Sequence, residues 1–283
     1  MKTLDADQLA DLVREYRSDG FAYVRQMFSA QELAPLSGSL VEGASPGGFS
    51  VTDSAGGAQE LSVWLELGDD LIGVLPRLEP IVALASAVVA EDVYHWHSKI
   101  SWKRPSTKSL WDWHQDYGFW VDDGVHRPDM CTIAIALGSV HRGNGCMQLL
   151  RGSHNLGKLD VVEVGKSQGV DPALIDGVIE THPIEYCELE AGDVVVFHSN
   201  TLHGSGPNES DHPRTMLMSS YNARSNVPSS PRHPAYRPDE LAVVPASAVR
   251  NGWTSIFGST PFVDPERDGM TQGYSTTSHS AGR

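Results

Sequence analysis

Three residues of this 283-residue sequence have the types and spacing of a metal site. His114 and Asp116 form a His-x-Asp pair, His203 lies far downstream, and Arg214 follows eleven positions later. Two histidines and one carboxylate are the ligand set of the facial triad, which binds non-haem Fe(II) on one face and leaves the opposite positions open. The pattern therefore predicts oxygen chemistry. Zinc is the alternative ion that the same ligands could bind.

The fold must bring these residues together. On a β-strand, residues two positions apart point to the same side, so we expect His114 and Asp116 to bind one metal from a single strand. His203 must come from another element. The predicted site is therefore a tertiary one.

A mainly β structure with flanking helices is predicted to hold the site, because many short strands with Gly-rich turns are typical of a sandwich or barrel. The predicted strands are Phe21–Val24, Val93–Lys103, Met130–Leu137, Cys146–Leu150, Glu185–Leu189, Val194–His198 and Thr215–Tyr221. The predicted helices run from Asp5 or Asp7 to about Ser18, from a capping box at Ser29–Glu32, and over Leu71–Val89.

Nothing in the sequence divides the chain into independent modules, so we predict a single domain over residues 1–283. It comprises an N-terminal helical part (about 1–90), a core (about 91–226) and a C-terminal extension (227–283). Residues 44–57, rich in Gly, Ser and Pro, are predicted to form a mobile loop, and loops of this length near a site are often lids. The polar tail after Pro265 is expected to fray.

Composition limits the partners. A net charge of -15 argues against binding to a nucleic-acid backbone. No apolar stretch is long enough for a signal peptide or a membrane span. Cys131, Cys146 and Cys187 show no paired metal-type spacing and are predicted to be free thiols in a reducing compartment. We expect a cytoplasmic protein, a monomer or small homo-oligomer, that acts on a small molecule.

The order of the motifs resembles the phytanoyl-CoA dioxygenase family. The matching runs, within residues 93–226, are Trp113–Tyr117, Asn144-Gly145, Arg151–His154, Gly192-Asp193 and His203–Asn208, followed by Arg214. The resemblance implies a double-stranded β-helix, or jelly-roll, core. It also implies Fe(II) as cofactor, with 2-oxoglutarate and O₂ as co-substrates. Because the carboxylate of Asp116 is present, where related halogenases have a small residue, hydroxylation is expected.

Carried over to this sequence, the resemblance makes His114, Asp116 and His203 the catalytic iron ligands. Arg214 is implied to pair with the far carboxylate of 2-oxoglutarate, since the planar fork of arginine suits a carboxylate better than lysine does. Further co-substrate contacts are predicted for Gln115, Thr132, Lys99 and Ser101.

Aromatic and cationic residues near the predicted site indicate a small zwitterionic substrate. Cation–π attraction between an aromatic face and a cationic amine is worth ~0.5–2 kcal/mol. A lysine or arginine that is not used by 2-oxoglutarate can pair with an anionic group of the substrate. The candidate substrate residues are Trp120, Phe197, Tyr117, Arg104 and Arg224. The resemblance is nearest to bacterial proline and ectoine hydroxylases and 2-aminoethylphosphonate-type dioxygenases, which implies an amino acid, a compatible solute or an aminophosphonate.

Two alternatives stay open at this point. One is an oxygenase that tailors a natural product by hydroxylation, desaturation or cyclisation, because one oxidant serves all these outcomes. The other is a sensor that binds metal and 2-oxoglutarate without turnover. The complete triad with Arg214 favours an enzyme.

Overall fold

Two antiparallel sheets face each other in the computed structural model, which describes residues 1–40, 46–231, 233–250, 253, 255–265, 267–268 and 276–277. The strands are β1 (Phe21–Val24), β2 (Phe49–Thr52), β3 (Ala58–Trp64), β4 (Val93–Lys103), β5 (Trp111–His114), β6 (Met130–Ala136), β7 (Met147–Leu150), β8 (Val162–Val164), β9 (Ser167–Gly169), β10 (Ile184–Tyr186), β11 (Val194–His198), β12 (His203–Ser205), β13 (Arg214–Ala223) and β14 (Thr276–Thr277). The large sheet has the order β1-β11-β6-β13-β4-β3-β2-β14, and the small sheet has the order β10-β7-β12-β5. Strands β8 and β9 form a separate pair. The predicted jelly-roll core is confirmed.

Alternation along the strands separates two apolar layers. Ile133 and Ile135 of β6 pack in the cluster that contains the helices, while Ala134 and Ala136 pack with residues of the small sheet such as Met147. Successive side chains of a strand point to opposite faces. The large sheet is thus covered by helices on one side and encloses the barrel interior on the other.

The helices are α1 (Ala6–Asp19), α2 (Ala30–Leu40), α3 (Leu71–Val74), α4 (Glu79–Val89), α5 (Asp116–Trp120) and α6 (Pro172–Ile179). The first two begin where the caps predict: Asp5 and Gln8 form a capping box, and the Ser29 and Glu32 side chains bond each other's backbone N–H groups. No helix of the described residues is both long and apolar enough to span a membrane. All three cysteines are buried free thiols, as predicted.

The prediction of one helix over Leu71–Val89 is wrong. Helix α3 gives way to a 3₁₀ turn at Leu75–Arg77, and α4 starts again at Glu79 after Leu78, whose backbone is extended. Proline lacks the N–H group and its ring clashes with the preceding turn, so Pro76 and Pro80 are tolerated only at the starts of helical segments.

The predicted mobile loop over residues 44–57 is also wrong where it can be compared, since residues 44 and 45 lie outside the described ones. Residues 49–52 form β2, which pairs with β3, and Phe49 and Val51 are buried. Gly57 donates its N–H to Asp53, so the small residues make a tight turn rather than a long loop. The N-terminal part is therefore not only helical. The predicted fraying after Pro265 falls largely outside the described residues.

Candidate active site

The three predicted metal ligands meet at one point. His203, the first residue of β12, is the register partner of His114 at the end of β5. Asp116 Oδ1 lies 4.0 Å from His114 Nε2 and 3.9 Å from His203 Nε2. One ligand atom from each residue lies within 4.8 Å of the others. The donor set and its spacing fit a metal ion held by two imidazoles and one carboxylate.

His114 and Asp116, the two ligands that lie close together in the sequence, do not share a strand, contrary to the sequence-based expectation. Strand β5 ends at His114, Gln115 is extended, and Asp116 opens α5. The amide of Tyr117 then bonds to the carbonyl of Ser199, which fixes the start of this short helix at the end of β11. The chain turns at the ligand pair, so strand alternation does not predict where Tyr117 points.

Backbone carbonyls orient both histidine rings. His114 Nδ1 lies 2.7 Å from the carbonyl oxygen of Asp112, and His203 Nδ1 lies 2.9 Å from that of Thr201. Because a carbonyl only accepts hydrogen bonds, Nδ1 is the protonated nitrogen, and the lone pair of Nε2 is directed at the metal position. Burial lowers the pKa of both histidines, that of His114 to about 3, so they are neutral and able to bind metal.

The Asp116 carboxylate is held in its ionised form. Burial opposes its charge, but Lys99 and the neighbouring histidines outweigh burial and lower its pKa to about 2. Thr132 Oγ1 donates to Asp116 Oδ2 over 3.2 Å and also lies 2.9 Å from the hydroxyl of Ser220. Oδ1 is left to face the histidines. Thr132 thus orients a ligand carboxylate, a different role from the co-substrate contact that was predicted.

Gln115 also differs from its predicted role. Its Nε2 donates to the carbonyls of Gly157 and Asn200, each over 2.8 Å, and its Oε1 accepts the N–H of Leu159. These bonds use both ends of the amide. The side chain therefore ties the loop around residue 158 to the metal-binding turn and does not offer the co-substrate contact expected from sequence.

A row of polar side chains follows one face of β4. His97, Lys99, Ser101 and Lys103 alternate along the strand, opposite Ser220, Met218, Met216 and Arg214 of β13. Residues two apart point to the same side of a sheet. The row thus extends from the Asp116 end, where Lys99 and His97 act on the carboxylate, to the Arg214 end.

One cavity joins the metal ligands to Arg214. Its lining comprises Leu61, Lys99, Ser101, Trp111, His114, Met147, His203, Gly204, Ser205, Arg214 and Met218. Two iron-binding candidates and three of the predicted co-substrate residues therefore share one space. Trp111 also lines this cavity, and its ring centre lies 6.1 Å from that of His114.

Arg214 lies at the far end of this cavity with most of its hydrogen-bonding groups unused. It is 1% exposed, and its Nη1 donates to Ser101 Oγ over 3.5 Å. Its Nε and Nη2 have no partner among the residues that the structure describes. Burial lowers its pKa to about 10, so the guanidinium remains charged at neutral pH. A buried, unpaired cation is costly, and a carboxylate from a ligand would satisfy it.

The predicted substrate residues separate into two groups. Trp120 and Tyr117 are buried in one cluster, and Trp120 contacts His97 edge-on with ring centres 5.4 Å apart. Phe197 is fully buried and packs against the ring of His203 at 4.9 Å.

The two arginines in the prediction lie elsewhere. Arg104 is largely exposed, bonds Glu60 over 2.6 Å and stacks on Trp102. Arg224 is exposed at the end of β13. The structure does not bring either arginine to the cavity, because both follow the inward-facing part of their strands. Sequence reasoning missed Lys103 and Ser205, although an even spacing along the strand, four positions from Lys99 and two from His203, signals both.

A jelly roll with a two-histidine, one-carboxylate site and a buried arginine facing the same cavity defines the class of iron- and 2-oxoglutarate-dependent oxygenases. Residues 16–216 match the family model of the phytanoyl-CoA dioxygenases (PhyH). The chain belongs to this family, and it is an Fe(II)- and 2-oxoglutarate-dependent dioxygenase.

Curated relatives and solved structures agree with this assignment. The chain is 31% identical over 200 residues to an L-proline trans-4-hydroxylase from Streptomyces griseoviridis, covering 64% of this chain and 75% of that protein. It is 27% identical over 265 residues to an ectoine dioxygenase from Bordetella parapertussis, covering 87% and 86%. The crystal structure of EctD from S. alaskensis with 2-oxoglutarate and 5-hydroxyectoine superposes with a TM-score of 0.67 at 22% identity, over 86% of this chain and 88% of that one.

Proposed function

We propose that this dioxygenase hydroxylates an unactivated C–H bond of a small zwitterionic metabolite: an amino acid, a compatible solute, or an aminophosphonate or quaternary-ammonium phosphonate. The observation that carries this proposal is that a cationic and an aromatic side chain lie in the same cavity as the metal ligands. Lys99 and Trp111 line the same cavity as His114 and His203. A lysine suits an anionic group of the substrate, and an indole face suits an ammonium group.

The related proteins support the same substrate class. Proline and ectoine, after which two of the relatives are named, are both small zwitterions. The acidic net charge of the whole chain gives no general attraction for a polyanionic substrate. Recognition of a small anionic group is therefore assigned to individual buried cations rather than to a basic surface.

In the proposed site, His114, Asp116 and His203 hold Fe(II), which together with 2-oxoglutarate supplies the chemistry for inserting oxygen into a C–H bond. The Asp112 and Thr201 carbonyls fix the ring orientations, and Thr132 fixes the carboxylate. Arg214, with Ser101 beside it, receives the far carboxylate of 2-oxoglutarate. These side chains position the reactants and keep water from the reacting centre.

Lys99 and Trp120 are assigned to the substrate end. Lys99 lines the cavity and acts on the Asp116 carboxylate. Trp120 backs His97, whose Nδ1 is buried with no hydrogen-bond partner in the described part of the chain. An unpaired buried nitrogen can be satisfied by a polar group of a bound substrate. We further propose a single cytoplasmic domain that functions as a monomer or small homo-oligomer.

The test is succinate release from 2-oxoglutarate by enzyme reconstituted anaerobically with Fe(II) and then exposed to air, in the presence of amino acids, betaines and aminophosphonates. Strong stimulation by one zwitterion, with product heavier by one oxygen atom, is expected. Stimulation only by a larger natural product would overturn the substrate class. Metal-dependent binding of 2-oxoglutarate with no turnover on any compound would favour the sensor.

A further inference from the structure

Strand β4 contains a β-bulge at Trp96, close to the proposed substrate residues. Positions 95 and 97 pair with consecutive residues of β13, which leaves Trp96 without a register partner. Neighbouring residues of a regular strand point to opposite faces of the sheet. Here the rings of Trp96 and His97 both lie next to Trp120, with ring centres 6.5 and 5.4 Å away. The bulge therefore turns Trp96 toward the same side as His97, which is a common effect of bulges beside active sites.

Tyr236 stacks on the indole of Trp96. The two ring centres are 3.8 Å apart, and the ring planes are 7° from parallel. Both side chains are buried, with Trp96 0% and Tyr236 4% exposed. Two aromatic rings on their own favour offset or edge-to-face contacts at roughly 4.5–7 Å, so the surrounding packing must hold this pair together. Tyr236 thus covers one face of the indole and fixes its orientation.

The segment that carries Tyr236 follows β13 and is hydrogen-bonded to the loop after α5. Ser229 donates its N–H to the carbonyl of Gly124 over 3.0 Å. The side chain of Asn226 exchanges two hydrogen bonds with the backbone of Arg127. The segment lies beyond residue 216, where the match to the family model ends. Tyr236 is therefore not part of the pattern that identifies the family.

Two nitrogens at the bulge, Trp96 Nε1 and His97 Nδ1, are buried without a hydrogen-bond partner in the described part of the chain. Buried polar atoms are normally paired, so an unpaired one calls for an explanation such as a ligand. Lys99 is the next inward-facing residue of β4, roughly 7 Å along the strand from His97, and it lines the cavity with the metal ligands. Aromatic rings and a cation therefore lie at the two ends of a short row, at a spacing that suits the opposite charges of a small zwitterion.

We propose that Trp96 contacts the ammonium or quaternary ammonium group of the substrate, and that Tyr236 is a positioning residue that holds the Trp96 ring. The anionic group of the same molecule is bound at Lys99. Among aromatic side chains, an indole attracts a cation most strongly. The inference rests on the proposed zwitterionic substrate and assigns the orientation of that substrate. It also places one determinant of specificity in the C-terminal segment, outside the residues that match the family model.

The experiment is calorimetric titration of the anaerobic enzyme, loaded with Fe(II) and 2-oxoglutarate, with two pairs of probes. Glycine betaine is paired with 3,3-dimethylbutanoate, and L-proline with cyclopentanecarboxylate; the second member of each pair keeps the shape and the carboxylate but lacks the positive charge. The wild-type enzyme should bind at least one zwitterion about 2- to 30-fold more tightly than its uncharged-nitrogen-free counterpart, the range of a single cation–π contact.

The variants test which residues produce this preference. The ratio of the two affinities should fall toward one in Trp96→Leu and in Tyr236→Ala, and it should be retained in Tyr236→Phe, which keeps the stacked ring. A purely structural defect would weaken both members of a pair equally and leave the ratio unchanged. Tyr186→Ala changes a tyrosine of β10, the strand of the small sheet farthest from β5, and should match the wild type.

Several results would overturn the proposal. Equal affinities within both pairs, or no binding of either zwitterion, do so in the wild-type enzyme, which matters if Trp96→Leu fails to fold. An undiminished ratio in Tyr236→Ala overturns the positioning role of Tyr236. The proposed function has its own readout in succinate release: a zwitterion that stimulates release but is not preferred over its counterpart overturns this inference alone, whereas no stimulation by any zwitterion overturns the proposed function and the inference with it.

Discussion

The two ends of the cavity differ in how completely the protein satisfies its own polar groups. At the metal end, each ligand side chain has a hydrogen-bond partner on the atom that faces away from the metal: a carbonyl for His114 and for His203, and Thr132 for Asp116. At the other end, Arg214 is buried, and two of its nitrogens have no hydrogen-bond partner among the described residues. The metal end is organised before any ligand binds. The arginine end is completed only when a ligand supplies a partner for Arg214. The metal end therefore contributes geometry, and the arginine end contributes affinity.

The largest expected effect comes from removing a metal ligand. His203→Ala should reduce iron-dependent turnover to background, because the ion loses one of its three protein ligands and the open face is no longer defined. Iron content and succinate release measure the loss, with folding checked by circular dichroism. His212→Ala, at an exposed histidine, is the matched control. Full activity in the His203 variant would rule out the proposed triad.

The second-largest effect is expected at the end of the cavity that contains Arg214. Arg214→Met should raise the KM for 2-oxoglutarate by roughly 30-fold or more, since truncating one partner of a buried charge pair costs ~2–5 kcal/mol. The KM for the primary substrate should change far less. Arg104→Met removes an exposed arginine from the neighbouring strand and serves as control. An equal rise in both KM values would show that Arg214 acts on the fold of the cavity rather than on one ligand.

A smaller effect is expected from the partner of the Asp116 carboxylate. Thr132→Val keeps the shape of the side chain but removes the hydrogen bond to Oδ2, so iron affinity should fall roughly 10- to 100-fold, as for other outer partners of metal ligands. Metal titration followed by tryptophan fluorescence measures the change. Iron affinity equal to that of the wild type would mean that the metal end is organised by the two histidines alone.

The smallest expected effect concerns substrate recognition. Trp120→Phe removes part of the aromatic surface behind His97 and should raise the KM for a zwitterionic substrate by about twofold to 30-fold, the range of a single cation–π contact of ~0.5–2 kcal/mol. The KM for 2-oxoglutarate should not change. An unaltered substrate KM would remove Trp120 from the proposed pocket.

Much of the site is predictable because it depends on local spacing and on residue type. The His-x-Asp pair, the distant histidine and the following arginine identify the triad and its dianionic co-substrate. The role of Gln115 is not predictable in this way, since its partners at residues 157 and 200 are brought to it only by the tertiary fold. Lys103 belongs to a basic run that is typical of a solvated edge, and only its register against Arg214 shows that it is buried.

The fold likewise has parts that local sequence predicts and parts that depend on tertiary contacts. Apolar alternation predicts the long strands, but β2 lies in a Gly- and Ser-rich stretch with few apolar residues, so its pairing with β3 outweighs local composition. The break between α3 and α4 is visible in Pro76 and Pro80, whose steric effect should have taken precedence over the continuous apolar pattern.

The carbonyl anchors of His114 and His203 have a consequence for metal supply. Because each ring is fixed by the residue two positions before it, the ligand set exists before any ion enters, and loading requires no folding step. A preformed set of two imidazoles and one carboxylate binds several divalent ions, and affinities across the first transition series favour copper, nickel and cobalt over iron. Discrimination in favour of iron then depends on which ion the cell makes available and on which ion supports turnover by the enzyme.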